Sequence, residues 1–188
     1  MKNKTIRWGI LGAGDVCEVK SGPAFQRAEH SELVAVMRRD GAKAEDFARR
    51  HGVGRWYDSV SDLLGDSEVD AVYIATPPRF HLEHTLAALT AGKDVYLEKP
   101  MAMSADECRQ IIKAEEKSKN KLALAHYRRA LPAFTRIREL IEDGTLGTVR
   151  LAELNFFLPE SNNLIPDNGD NWRVNPAISG GGLFHDLS

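Results

Sequence analysis

Short apolar runs alternate with segments of helical period along the first two thirds of the chain, the layout of a parallel sheet with crossover helices. TIRWGIL (5–11) is the first strand candidate and ELVAVMR (32–38) the second, with a helix-length segment between them that Pro23 interrupts. AKAEDFARRHG then carries Ala44, Phe47 and Ala48 on one face and stops at Gly52. VDAVYIAT (69–76) is nearly all apolar, as a strand covered on both faces should be, and DVYLEKP (94–100) repeats that character until Pro100. Between these two, RFHLEHTLAALTAG sets Leu82, Leu86 and Leu89 at helical spacing and closes at Gly92. Ser104 and Glu107 have the spacing of a capping box and open a helix that runs to about Asn120, and KLALAHY is the next strand.

After Tyr127 the character changes. ALPAFTRIRELIEDG predicts a helix ending at Gly144, and TVRLAELNFFL (148–158) alternates partially, as a strand would. A polar loop, PESNNLIPDNGDNW, follows, and SGGGLFHDLS reads as a helix start. The change of pattern sets a domain boundary near residues 126–130, so that 1–127 form one domain and 128–188 the beginning of another.

Composition narrows the class. The chain has 188 residues, 43% of them hydrophobic, with 25 Lys+Arg against 27 Asp+Glu and a net charge of -2. That is a globular composition, with no basic footprint for nucleic acid and no polybasic stretch for a membrane surface. No segment approaches the roughly 20 apolar residues of a membrane span, and Gly and Asp interrupt the N-terminal stretch before a signal-peptide core is complete. Cys17 and Cys108 lack a metal-type spacing, so two free thiols in a reducing, cytoplasmic setting are the expectation.

Four stretches carry candidate chemistry. In GILGAGDVCE, Gly12 and Gly14 stand where a dinucleotide-binding turn places its first two glycines, and Cys17 occupies the third small position. An ordinary tight turn is the alternative; the strand before and the helix after favour a nucleotide, with phosphate oxygens at the helix start near Asp15 and Val16. At the end of the second strand the chain reads MRRD. Arg38 and Arg39 there fit a 2′-phosphate and hence NADP(H), with Asp40 late for the ribose hydroxyl, unless the cluster is only a solvated charge patch. ATPPRFHLEH lies at the carboxyl end of a strand, where Thr76 can bond phosphate or ribose and Pro77 and Pro78 stiffen the turn. His81 and His84 are three apart, but no third ligand accompanies them and no metal site is expected. EKP puts Glu98 and Lys99 at the mouth of a buried strand, where an acid and a base can serve proton transfer or simply form a salt bridge.

These residues carry a resemblance. The turn GAGDV, the ATPP..H segment, EKP, the R-x-x-P of Arg129 to Pro132, ELIEDGTLGTV, the Trp172-Arg173 pair and the closing GGGLFHDLS occur in the order seen in the glucose-fructose oxidoreductase, inositol dehydrogenase and MocA family. The resemblance implies an α/β Rossmann domain, doubly wound around a parallel sheet, followed by an α+β open-sheet domain. It implies hydride transfer between a nicotinamide and a carbon of a sugar, cyclitol or related polyol; the MRRD segment makes that nicotinamide NADP, with NAD second. By the same resemblance Lys99 lies beside the reacting hydroxyl or carbonyl and Asp186 helps organise that site, while Glu98, Thr76, His81, Trp172 and Arg173 border the cofactor. Association into homo-oligomers through the second domain is a further implication.

The family pattern D-x-x-x-H has its histidine four residues after the aspartate, whereas this sequence ends two residues after Asp186, and His185 precedes it. The sequence is therefore expected to be the N-terminal part of a longer protein. The strand at 148–158 would lack the neighbours it has in the family's sheet. The alternative function is a non-catalytic NADP(H)-binding sensor or scaffold: Lys99 favours the enzyme, the missing histidine the alternative.

Overall fold

A computed structural model of the protein describes residues 4–155, 157, 172 and 175–181. Its centre is a six-stranded parallel sheet of order β3-β2-β1-β4-β5-β6. The strands are β1 (Ile6–Leu11), β2 (Ser31–Met37), β3 (Arg55–Tyr57), β4 (Ala71–Ile74), β5 (Asp94–Leu97) and β6 (Leu122–Leu124). β1 lies between β2 and β4, with Leu11 level with Met37 on one side and Ile74 on the other. The order reverses at β1, and ligands of such sheets bind at the carboxyl end of that switch point.

Alternation along the strands feeds two cores. Leu11, Met37 and Ile74 join Leu63, Leu89 and Ile111 on one face. Ile10, Val36 and Tyr73, one residue earlier in each strand, join Cys17 and Phe47 on the other. Helices α3 (Val60–Gly65), α4 (His81–Thr90) and α5 (Ala105–Lys117) serve the first face, while α1 (Gly22–Arg27) and α2 (Gly41–His51) serve the second. Both faces being covered explains why Ala71–Ile74 is buried throughout.

The expected boundaries hold within a few residues, and their chemistry is visible. Asp40 caps α2 by accepting from the Lys43 amide, and Gly52 ends it at φ 65°. Ser104 caps α5 by accepting from the Glu107 amide, while Glu107 reaches back to the Met103 amide. Pro23 lies inside a helical run over residues 15–27, and the α-pattern is interrupted just before it by a π-turn over Cys17–Ser21, closed by the Gly22 amide on the Cys17 carbonyl. A proline ring removes an i→i−4 bond from a helix interior, which fits the change of pattern there. Strand β3 and helix α3 were not foreseen.

Among the described residues, those up to Ala125 together with those from Trp172 onward form one compact unit, and those from His126 onward in between form another. The second contains a 3₁₀ turn (Tyr127–Ala130) and α6 (Pro132–Glu142), with turns at Gly144 and Gly147 in left-handed conformation. The strand predicted at 148–158 is a correction: residues 148–155 and 157 belong to no strand, and Leu151, Leu154 and Phe157 are exposed. A strand needs a ladder, and among the described residues nothing pairs with this segment. The predicted loop at 159–172, apart from Trp172, and the predicted helix start from Gly182 onward lie outside the described residues.

Asp70 ties the heads of β1 and β4 together. It accepts from the Arg7 amide at 3.1 Å, from Arg7 Nε at 3.0 Å and from Lys4 Nζ at 3.1 Å. Arg7 holds its carboxyl well below the usual carboxylate range. A lowered folded-state value means stability that is complete above the unfolded value of about 3.9 and lost as pH falls toward the folded one. Asp70→Asn is accordingly expected to lower the urea midpoint at neutral pH, with the gap to wild type closing on acidification. A gap of constant size across that range would show that the carboxylate does not carry the effect.

Candidate cofactor and active site

The glycine turn between β1 and the π-turn is built for backbone approach. Gly12 has φ 86°, and a Cβ there would stand 2.7 Å from Thr76 Cγ2 and 2.9 Å from the Thr76 amide nitrogen. The Gly12 and Ala13 amides both donate to the Met37 carbonyl, at 3.0 and 3.1 Å, which pins the turn to the end of β2. Over Gly14, by contrast, a Cβ would meet only the Gly12 carbonyl oxygen at 3.9 Å, so the space is open. Cys17 and Glu18 give their amides to the Gly14 carbonyl. Asp15 and Val16 belong to the first helical turn, whose amides have no acceptor within the helix. Open space at Gly14 beside such donors fits a pyrophosphate. Cys17 is buried, and desolvation pushes its thiol up to about 12, so it packs the turn and does not react.

Arg38 gives its amide to the Tyr57 carbonyl and is half-buried. Arg39 is exposed, its guanidinium carbon 5.6 Å from the centroid of the Phe80 ring. Asp40 is committed to α2, accepting from the Lys43 amide at 3.2 Å and facing Lys43 Nζ at 3.6 Å. The acid that would hold a ribose 2′-hydroxyl is thus occupied as a helix cap.

The segments after β4 and β5 are joined through His81, which is 1% exposed. Its Nε2 lies 2.7 Å from the Thr76 carbonyl and its Nδ1 2.8 Å from the Pro100 carbonyl. Burial pulls the imidazole pKa down, and a neutral ring donates one of these two bonds. His81, expected to border the cofactor, is buried in the framework, where it links the ATPP turn to the EKP turn. His84 meets Thr76 Oγ1 at 3.1 Å and stacks on Phe80. Among the described residues no cluster of three metal-ligating side chains occurs.

Glu98 is the end of a chain of hydroxyls. Ser21 Oγ in the π-turn donates to Tyr73 Oη at 2.9 Å, and Tyr73 Oη donates to Glu98 Oε1 at 2.5 Å. The other carboxylate oxygen accepts from the Lys99 amide at 3.0 Å. Burial first, then the Glu98 charge, keeps the Tyr73 phenol protonated far above its usual range. Ser21 and Tyr73 were not singled out from sequence; a tyrosine in an otherwise aliphatic buried strand is the signal that was there. Lys99 is half-buried at the carboxyl end of β5. Trp172 is half-buried just ahead of α7 (Pro176–Ser179), which lies against the Pro78–Phe80 turn, while Arg173 and Asp186 lie outside the described residues.

Comparison with known proteins bears on this arrangement. Residues 6–126 match the model of an oxidoreductase family with an NAD-binding Rossmann fold, and residues 134–188 match a GFO/IDH/MocA C-terminal domain. An oxidoreductase of Formosa agariphila is 48% identical over 97% of this chain and 57% of its own length. The 1,5-anhydro-D-fructose reductase of Ensifer adhaerens is 32% identical over 97% of this chain and 53% of its own. A 3-ketoreductase from Actinomadura kijaniata, solved with NADP and TDP-benzene, is 25% identical with a TM-score of 0.80 over 98% of this chain and 54% of that one. The chain thus spans little more than half the length of these relatives. Among the described residues no helix is long and apolar enough to cross a membrane. With its nucleotide-type turn, its parallel sheet and a family model covering most of its length, the chain belongs to the GFO/IDH/MocA oxidoreductase family.

Proposed function

We propose that the protein to which this chain belongs is an NADP(H)-dependent oxidoreductase acting on a hydroxyl or carbonyl carbon of a sugar, cyclitol or related polyol. The observation that carries the reading is the contrast within the glycine turn, closed against Thr76 at Gly12 and open at Gly14. Such a turn positions a dinucleotide by its backbone. Gly14, Asp15 and Val16 hold the pyrophosphate, Arg38 and Arg39 the 2′-phosphate, and Thr76 and Pro77 line the crevice beside them. Commitment of Asp40 to its cap supports NADP(H) over NAD(H). The relatives named as a 1,5-anhydro-D-fructose reductase and as a 3-ketoreductase support the substrate class.

A bound nicotinamide supplies the hydride donor or acceptor. Lys99 holds the substrate oxygen and carries its proton, and Glu98 fixes the backbone of Lys99. Asp186, Trp172 and Arg173 complete the site on the family pattern, and 1–127 and 128–188 are the cofactor domain and the beginning of the substrate and oligomerisation domain.

Titration of NADPH and NADH, followed by nicotinamide fluorescence, tests this. Wild type is expected to prefer NADPH. Loss of charged hydrogen bonds in Arg38→Ala/Arg39→Ala, about 1.5–3 kcal/mol each, should weaken NADPH by on the order of 10²-fold or more and leave NADH unchanged. Equal weakening of both would overturn the NADP(H) assignment, and absence of binding of either by wild type would overturn the dinucleotide reading itself.

A further inference from the structure

Two guanidinium groups from different strand ends close on a single aromatic ring. Arg39 follows β2, whereas Arg79 and Phe80 follow β4, and these strands flank β1 on its two sides. The guanidinium carbon of Arg79 is 4.3 Å from the Phe80 centroid and that of Arg39 is 5.6 Å away. The ring itself is braced: it stacks on His84 with centroids 5.6 Å apart and planes 8° apart, and His84 in turn meets Thr76.

Like charges brought together need a compensating anion, and the described residues supply none. Among the described residues neither Arg39 nor Arg79 is in an ion pair, and Asp40, the nearest acid in sequence, is turned to Lys43. Arg7, Arg49 and Arg50 show the opposite pattern, each resting on a carboxylate at 3.0 Å or less. A planar cation stacked on a ring keeps its edge N–H groups available for an oxyanion. The bracketed location, beside the glycine turn on the β2 side, is the adenosine half of a doubly wound crevice.

We propose that Arg79 is a specificity-determining residue that binds the 2′-phosphate of an adenosine dinucleotide jointly with Arg39, both held by the Phe80 ring. This rests on the dinucleotide reading above and adds to it a reader outside the MRRD segment. Phe80 is the positioning residue of the pair, because it sets the two forks on one side chain.

The test compares 2′,5′-ADP with 5′-AMP by calorimetric titration of wild type, Arg79→Gln and Phe80→Leu. Arg79 is exposed, so its substitution leaves the fold intact, which circular dichroism checks. Arg79→Gln is expected to weaken 2′,5′-ADP by about 10- to 100-fold and to leave 5′-AMP and NADH unchanged, the range for losing a charged hydrogen bond. Phe80→Leu, which keeps apolar volume, should weaken 2′,5′-ADP in the same direction. Unchanged 2′,5′-ADP binding in Arg79→Gln, with NADPH still preferred by wild type, would overturn the role of Arg79 and leave the cofactor assignment standing. Equal weakening of 5′-AMP would also overturn it, by showing that Arg79 stacks on adenine. Failure of wild type to bind any of these nucleotides, NADPH included, would remove the dinucleotide reading and the proposal together.

Discussion

Lys99→Met is expected to leave dinucleotide affinity near wild type while turnover falls by about 10²–10⁴-fold, the range for a positioned acid or base. The geometry separates the two effects. Lys99 lies beyond the end of β5, two positions along the sheet from β1, which the glycine turn follows. Its backbone is set by the Glu98 carboxylate, and that carboxylate is set by Tyr73 and Ser21. On the proposed roles, removing the ammonium therefore subtracts proton transfer and orientation without loosening the glycine turn. The measurement is kcat with a sugar or polyol substrate in a preparation of the protein that turns one over, beside a Kd for NADPH. Turnover within a few-fold of wild type would take Lys99 out of the proton path. A parallel loss in Kd would make it a cofactor ligand and not a catalytic residue. Lys99→Arg restores the charge with a wider, planar head; poor rescue by it would show that a compact ammonium is required at that spot.

The parts of this fold that sequence pattern reveals are those where one physical demand dominates. VDAVYIAT had to be a doubly covered strand because nearly every position is apolar, and β4 is buried along its whole length. Gly52 and Ser104 announced a stop and a start because left-handed backbone and capping oxygens have few substitutes. Strand β3 escaped because Arg55–Tyr57 is too short for alternation to register and lies at the sheet edge, where pairing with Ala35–Met37 decides its structure. The segment at 148–158 failed in the other direction. Its alternation is real, but alternation specifies only a surface with two faces, and a strand exists only with a neighbour to bond.

The same division holds at the candidate site. The glycine turn, the arginines after β2 and the EKP turn are contiguous in sequence and were legible as stretches. What links them is not contiguous. Tyr73 lies 25 residues from Glu98 and 52 from Ser21, and His81 reaches 19 residues to Pro100. No window of the sequence holds both ends of such a contact, so side chains that position others are found only when the fold brings the loops together. Phe80 and Arg79 are of this kind: within RFHLEHTLAALTAG they read only as the start of a helix, and the approach of Arg39 from another strand end brings a second guanidinium to the same ring.

Gly12→Ala should cost both stability and cofactor binding, whereas Gly14→Ala should cost binding alone. At Gly12 the new methyl meets the backbone of Thr76, 2.9 Å from its nitrogen and 3.0 Å from its Cα, and φ is 86°. Backbone cannot swing aside as a side-chain tip can. Roughly 1–3 kcal/mol for a left-handed non-glycine residue and roughly 1–3 for overpacking give about 2–6 kcal/mol, against a total stability of about 5–15. The displacement also falls on Thr76, whose carbonyl holds His81 and whose hydroxyl holds His84, so the ATPP turn shifts with it. At Gly14 the methyl meets nothing closer than 3.9 Å, and the fold should tolerate it; on the proposed function, the volume it takes is that needed by the pyrophosphate. Gly52→Ala is the control for strain alone, since Gly52 has φ 65° with nothing within 4 Å of its added Cβ and stands at the end of α2, away from the crevice. Urea unfolding and NADPH titration of the three variants separate the terms. The expected order of stability is Gly14→Ala near wild type, Gly52→Ala lower by about 1 kcal/mol, and Gly12→Ala lowest, with NADPH affinity lost in the two turn variants and kept in Gly52→Ala. Wild-type NADPH binding by Gly14→Ala would mean that the open space over that residue is not where the pyrophosphate lies.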